Sequence, residues 1–156
     1  MAMMQRTTLL CLLILLITCG CNRATTENQP NPKREDLNTN RLLQYFVTKN
    51  PGKEVIQYAS KDLNNDGRED LVIIYKVSKE KNMMCVILDM GEKCVVTNEV
   101  PAPVSNQVIQ FKDIDDKPPM EFIVHGRKGA KVGYAVYRIE KGQIVDLFGE
   151  GMADCC

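Results

Sequence analysis

The chain repeats a strand, turn, strand pattern, and that duplication limits the folds open to it. "VIQYASKDLNNDGREDLVIIY" begins at Val55 and "VIQFKDIDDKPPMEFIVHG" at Val108, 53 positions later. Each copy reads as an apolar run, an acidic turn and a second apolar run. Each is followed by a further pair of runs about a glycine, "MCVILDMGEKCVV" in the first and "YAVYRIEKGQIVDLF" in the second. Short runs rich in β-branched and aromatic side chains, divided by turn residues, are the mark of antiparallel sheet. The expected fold is therefore mainly β: two antiparallel units of about four strands each, spanning 55–107 and 108–150. Neither unit carries enough apolar surface to stand alone, so the two are expected to pack on each other. Upstream, Leu37, Leu42, Leu43, Phe46 and Val47 recur near helical spacing between Asp36 and Lys49, and "NPG" at 50–52 stops the pattern. This predicts a short N-terminal helix.

The acidic turns carry the first candidate chemistry. In "DLNNDGRED", Asp62, Asn64, Asp66 and Asp70 stand at offsets 0, 2, 4 and 8, with Gly67 at the bend. Calcium takes six to eight hard oxygens, and alternate residues of a looped turn can aim theirs at one centre. The backbone carbonyl of Arg68 would add another. An EF-hand is excluded, because its twelfth position needs a bidentate Glu and here holds Ile73, inside a strand run. An Asx-rich turn that needs no ion is the other reading of the same residues. Lying between two strands, the stretch resembles the calcium loop of FG-GAP/VCBS-type repeats, the blade units of integrin-like β-propellers. The resemblance implies propeller-blade-like units and a structural Ca2+. In the second copy Asp113 and Asp115 hold the first two places, but Lys117 and Glu121 take the third and fourth, and "KPP" replaces "DGR". That loop is expected to hold no metal, with Lys117 supplying the positive charge.

Residues 1–20 carry one charge, Arg6, then an uncharged run from Leu9 to Ile17, and end in small residues. This is the layout of a secretory signal, and the run is shorter than the roughly 20 apolar residues of a spanning helix. The following "ITCGC" resembles the bacterial lipobox. Cys21, preceded by Gly20, is the expected lipidation site; Cys19, preceded by Thr18, fits less well. Residues 21–35 hold Pro30 and Pro32 and almost nothing apolar, as a flexible tether would. The expected location is the extracytoplasmic face of a bacterial cell membrane. Charge is balanced at 20 Lys+Arg against 20 Asp+Glu. Loss of residues 1–20 removes Arg6 alone, so nucleic acid is not an expected partner.

Cys85 and Cys94 lie in apolar runs on either side of Gly91, as buried thiols or a cross-strand disulfide. Cys155 and Cys156 close the chain after "GEGMAD", where Gly149 and Gly151 loosen the backbone and no hydrophobic period continues. Residues 151–156 are expected to be a mobile tail. The pair could bond to the body, form a strained vicinal disulfide, or bind something soft. Asp154 and the terminal carboxylate oppose a thiolate there, which disfavours redox catalysis. A thiophilic ion drives proton release through its own bond, so Hg(II), organomercury and other soft metals suit the pair. No CxxC is present, and two adjacent thiols cannot fill a four-ligand zinc site. His125 has no recognisable nucleophile partner, and "GRKGAKVG" at 126–133 lacks P-loop spacing and reads as a hairpin loop.

An exported, β-rich chain ending in Cys-Cys resembles the SaoC-type Cys-Cys-COOH (seleno)protein family of the selenocysteine-assisted organometal systems. One terminal Cys of that family can be selenocysteine; this chain has Cys at both places. The resemblance implies a role in organometal, chiefly organomercurial, detoxification. Cys155 and Cys156 would be the metal-handling pair of an accessory protein rather than a stand-alone enzyme. It also implies a mercurial-lyase-like enzyme, a thioredoxin-like protein and an ABC transporter as partners. Two other readings stand beside it: a calcium-stapled binding module for protein or glycan, and a thiol–disulfide partner of exported proteins.

Overall fold

The computed structural model describes residues 34–156. The expected signal, the lipidation site Cys21 and the tether up to residue 33 lie outside the described residues. Among those residues no helix is long and apolar enough to cross a membrane.

The chain is mainly β, in two antiparallel sheets. The first holds β1 (Glu54–Lys61), β2 (Asp70–Ser78) and β3 (Lys81–Asp89), with two short strands, β4 (Cys94–Val96) and β5 (Val100–Ala102), both pairing with β3. β4 runs beside Ile87–Asp89 and β5 beside Asn82–Met84, so the expected fourth strand is broken in the middle. The break has a physical cause. Thr97 stays tied to Val86 through both its N–H and its hydroxyl. Asn98 then turns to the other sheet, where its amide donates to the Ile144 carbonyl at 3.2 Å and accepts from the Ile144 N–H at 2.7 Å. The second sheet is an up-and-down meander of β6 (Ser105–Lys112), β7 (Glu121–Lys128), β8 (Lys131–Glu140) and β9 (Gln143–Glu150).

Burial explains why β2 reads as an unbroken apolar run. Val72 and Ile74 pack with Met84, Val86 and Leu88 against Phe122, Val124, Ala135, Tyr137 and Ile139 of the second sheet. Leu71, Ile73 and Tyr75 pack with Leu42, Leu43 and Phe46 on the opposite face. A strand buried on both faces loses its polar alternation. The covering layer comes from residues before β1. Where the sequence suggests one helix from Asp36 to Lys49, the structure has two, α1 (Arg34–Thr39) and α2 (Arg41–Lys49), divided at Asn40. The Asn40 side chain accepts from the Leu43 N–H at 2.9 Å, an N-cap that starts α2 afresh.

Candidate functional site

The C-terminal residues are not the mobile, patternless tail expected from Gly149 and Gly151. Met152–Cys155 form a single helical turn, α3, and Cys155 is fully buried. Gly151 turns the chain with a φ of 68°, a left-handed conformation that glycine adopts freely. Docking depends on a second glycine. Gly133 of β8 faces α3, and a Cβ there would lie 2.6 Å from the Gly151 carbonyl carbon and 2.8 Å from the Cys155 sulfur. Its cross-strand partner is Gly126, whose missing Cβ makes room for Pro103. The loop after β5 thus reaches the same place, and the Val104 N–H donates to the Cys155 carbonyl at 3.2 Å. That loop is itself held by Asn82 and Gln107, whose amides donate to the Pro103 and Val104 carbonyls.

Three sulfurs meet at α3 and its C-cap, Cys156. Cys155 Sγ and Cys156 Sγ are 3.4 Å apart, and Met152 Sδ lies 3.7 Å from the first and 3.9 Å from the second. Met152 is a residue that sequence reasoning missed. Its only signal is a spacing of three and four residues from the two thiols, which one helical turn brings together. Beside the cluster lies a cavity of about 290 Å³ lined by Val100, Pro101, Tyr137, Asp146, Met152 and Cys156. Cys155 is sealed inside, whereas Cys156 and Met152 are partly exposed and open onto this space.

Electrostatics keep the Cys156 proton in place. Burial, then the neighbouring Cys155, push the Cys156 thiol up to about 12, with Lys128 pulling the other way. The sequence reading has the direction but another cause, since it rests on Asp154. That carboxylate is turned outward to Lys131, 3.0 Å away. Tyr137 on the cavity wall is also raised, first by burial and then by Asp146 and the two thiols.

The acidic turns are closed by their own donors. Asp62 accepts from the Asp66 and Gly67 N–H groups at 3.2 and 2.8 Å. Asp66 accepts from the Arg68 N–H and its guanidinium at 2.9 and 3.0 Å. Asn64 accepts from the Asp66 N–H at 3.0 Å. Asp70 is fully buried and gives one oxygen to the Leu63 N–H and the other to the Asp89 N–H, both at 2.9 Å. Its acid strength reflects this: burial, opposed by those two amides, pushes its carboxyl up to about 6. With Arg68 seated on Asp66 and Asp70 spent on backbone amides, the residues fit an Asx-rich turn better than a calcium ion.

Glu121 repeats the Asp70 arrangement. It is 1% exposed and accepts from the Ile114 N–H at 3.0 Å, again seven residues before it. Its other oxygen takes the Arg138 guanidinium, which also reaches Asp115 at 2.7 Å. The fourth acid of each copy is therefore a clamp on the turn. The positive charge expected from the Lys117 side chain is supplied instead by Arg138, one strand away; Lys117 contributes its backbone N–H, which Asp115 accepts at 3.1 Å. Oxygens of Asp113, Asp115 and Glu121, the three acids that the sequence places in the second copy of the turn, converge within 4.8 Å.

The four cysteines among the described residues are free thiols. Cys85 is buried and pushed up to about 12, mainly by burial. Cys94 accepts from the Arg41 guanidinium at 3.5 Å, and that guanidinium also pairs with Asp89 at 2.5 Å. His125 sits half-buried in β7. The "GRKGAKVG" stretch is the tight β7–β8 hairpin with its turn at Gly129–Ala130.

Fold and site together define a mainly β, two-sheet protein with a three-sulfur cluster at its C-terminal turn. No protein-family model, curated protein or solved structure matches the chain.

Proposed function

We propose that this is an exported, lipid-anchored thiol protein that binds or relays soft metals or organometals, mercury and organomercurials foremost, through Cys155 and Cys156. The observation that carries the reading is the convergence of three sulfurs within 3.9 Å of one another, one thiol sealed and one open to a cavity. Soft donors of this kind select thiophilic ions, and the cavity leaves room for a small organic group on the metal. A half-open site suits ligand exchange, in which an incoming thiol attacks from the exposed side while the sealed one holds on. The lipid anchor at Cys21 and an extracytoplasmic location rest on the sequence of residues 1–21. A mercurial-lyase-like enzyme, a thioredoxin-like protein and an ABC transporter are the proposed partners, on the family resemblance alone. The two sheets, each with an acid-clamped turn, are read as propeller-blade-like units packed face to face.

The test is retention under competition. The full chain, reduced and in detergent, is titrated with Hg(II) and with methylmercury against a small-molecule thiol, and bound metal is read by mass spectrometry. One equivalent held by the native chain and lost in the Cys155→Ser/Cys156→Ser form is the expected result. Equal retention by both forms would remove the terminal pair from the function.

A further inference from the structure

We infer that Met152 is a third metal ligand and that the terminal turn is a trigonal three-sulfur site for a bare d10 monovalent cation of the Cu(I) class. The inference rests on the thiol reading above and narrows its cargo. A triangle with sides of 3.4, 3.7 and 3.9 Å has a centre about 2.1 Å from each corner. A metal–sulfur bond of about 2.3 Å therefore fits with the ion about 0.9 Å out of the sulfur plane, a pyramidal three-sulfur site, and with no sulfur displaced. A linear two-thiolate ion makes a different demand. With bonds of the same length it needs its sulfurs about 4.6 Å apart, and the Cys155 and Cys156 sulfurs stand at 3.4 Å. With Cys155 seated against Gly133, reaching that span would require the partly exposed Cys156 to swing more than 1 Å away and would break up the three-sulfur cluster.

Donor type points the same way. A thioether is a neutral soft donor, and mixed thiolate and thioether sets favour Cu(I) among biological metals. Two thiolates and one thioether around a monovalent ion leave a single negative charge, and the Lys128 charge acts on Cys156 in the direction that favours its thiolate. The step is a ligand substitution without electron transfer. Two S–H bonds and the ion's bonds to its previous ligands break, two metal–thiolate bonds and one metal–thioether bond form, and two protons and the displaced ligands leave to solvent.

The experiment loads the full chain, reduced and anaerobic in detergent, with Cu(I) from a chromophoric chelator of known affinity. Native protein and Met152→Leu are compared, with X-ray absorption at the copper edge. Three sulfur neighbours at a single distance, and a loss of at least about tenfold in affinity on Met152→Leu, are expected. Leu keeps the volume of Met, so protection of Cys155 from iodoacetamide equal to that in the native chain shows that the turn still packs. The native scattering count stands independently of the variant. Two sulfur neighbours in the native protein, or an unchanged affinity in Met152→Leu, would overturn the inference. Retention of Hg(II) without Cu(I) would overturn it too while leaving the thiol-carrier reading in place. Failure to hold either metal would end both.

Discussion

Replacing Gly133 by Ala tests whether the terminal turn is built into the fold. The new Cβ would stand 2.6 Å from the Gly151 carbonyl carbon and oxygen and 2.8 Å from the Cys155 sulfur. Carbon atoms prefer roughly 3.5–4.0 Å, so α3 must retreat by about 1 Å. Two of those three neighbours are backbone atoms, which cannot rotate away. Retreat stretches the bond from the Val104 N–H to the Cys155 carbonyl beyond its present 3.2 Å. Overpacking costs about 1–3 kcal/mol and the lost hydrogen bond about 1 kcal/mol more. If the chain relieves this by releasing α3, the turn opens with an equilibrium shifted by about 2–4 kcal/mol, and Cys155 becomes reachable at least about 30-fold faster. The assay is alkylation with iodoacetamide, following the C-terminal peptide by mass spectrometry. Cys85, buried in the other cluster, serves as an internal monitor of global unfolding. Faster labelling of Cys155 alone is expected. A Cys155 labelling rate equal to that of the native chain would refute the docking described here.

Arg138→Met should leave Glu121 buried without its cation and lower stability by about 3 kcal/mol, read as a drop in the urea midpoint; an unchanged midpoint would show that the ion pair does no clamping. Alkaline stability should fall as pH rises from the ordinary thiol value of 9.0 toward 12, because the buried Cys85 keeps its proton when folded and loses it when unfolded. Cys85→Val should flatten that slope in denaturation curves taken between about pH 8 and pH 11; a slope unchanged by the substitution would assign it elsewhere. Calcium at ten times a given Kd would stabilise a binding loop by about 1.4 kcal/mol. Since Asp70 gives both oxygens to backbone amides, millimolar calcium should leave the melting temperature unmoved, and a rise would restore the calcium reading.

The two-sheet, mainly β architecture was legible because a duplicated pattern of short apolar runs has few antiparallel solutions. The acidic residues were legible as positions and opaque as roles. Offsets of 0, 2, 4 and 8 describe a calcium loop and a self-closed turn equally well, and only the seating of Asp70 and Glu121 on N–H groups seven residues back separates them. Arg138 was hidden because its partners, Asp115 and Glu121, are set by pairing across strands, which a linear reading does not contain. The terminal pair was legible as a site, but its order was hidden for another reason. Its order comes from Gly126 and Gly133, which looked like loop residues of a hairpin. Glycine inside a strand can mark a close approach of another backbone, and two of them facing each other in register are the trace of α3 and the Pro103 loop.

Burial moves the pH dependence of the terminal pair into a range where a thiol in water would no longer show one. Cys156 is pushed up to about 12, chiefly by burial and then by Cys155 beside it. At neutral pH the folded protein therefore holds this proton, and any thiophilic ion must displace it. Each displaced proton lowers the logarithm of the apparent affinity by one for every unit of pH below the thiol's own value, so Cys156 alone makes binding about 100-fold tighter at pH 11 than at pH 9, where a thiol of the ordinary value 9.0 would add only about twofold. Lys128 moderates the effect. Lys128→Gln removes a cation that favours the thiolate, and should weaken binding at pH 7 while leaving the slope intact. Competition titrations at several pH values, with the competitor's own protonation accounted for, measure both quantities. A profile that levels off above pH 9 would mean that Cys156 ionises as an ordinary thiol and that the cluster is wetter than its packing against Tyr137 and Gly133 implies. A slope of about one per pH unit that persists to pH 11 would tie cargo binding to loss of the Cys156 proton and make the protonated turn the resting state of the site.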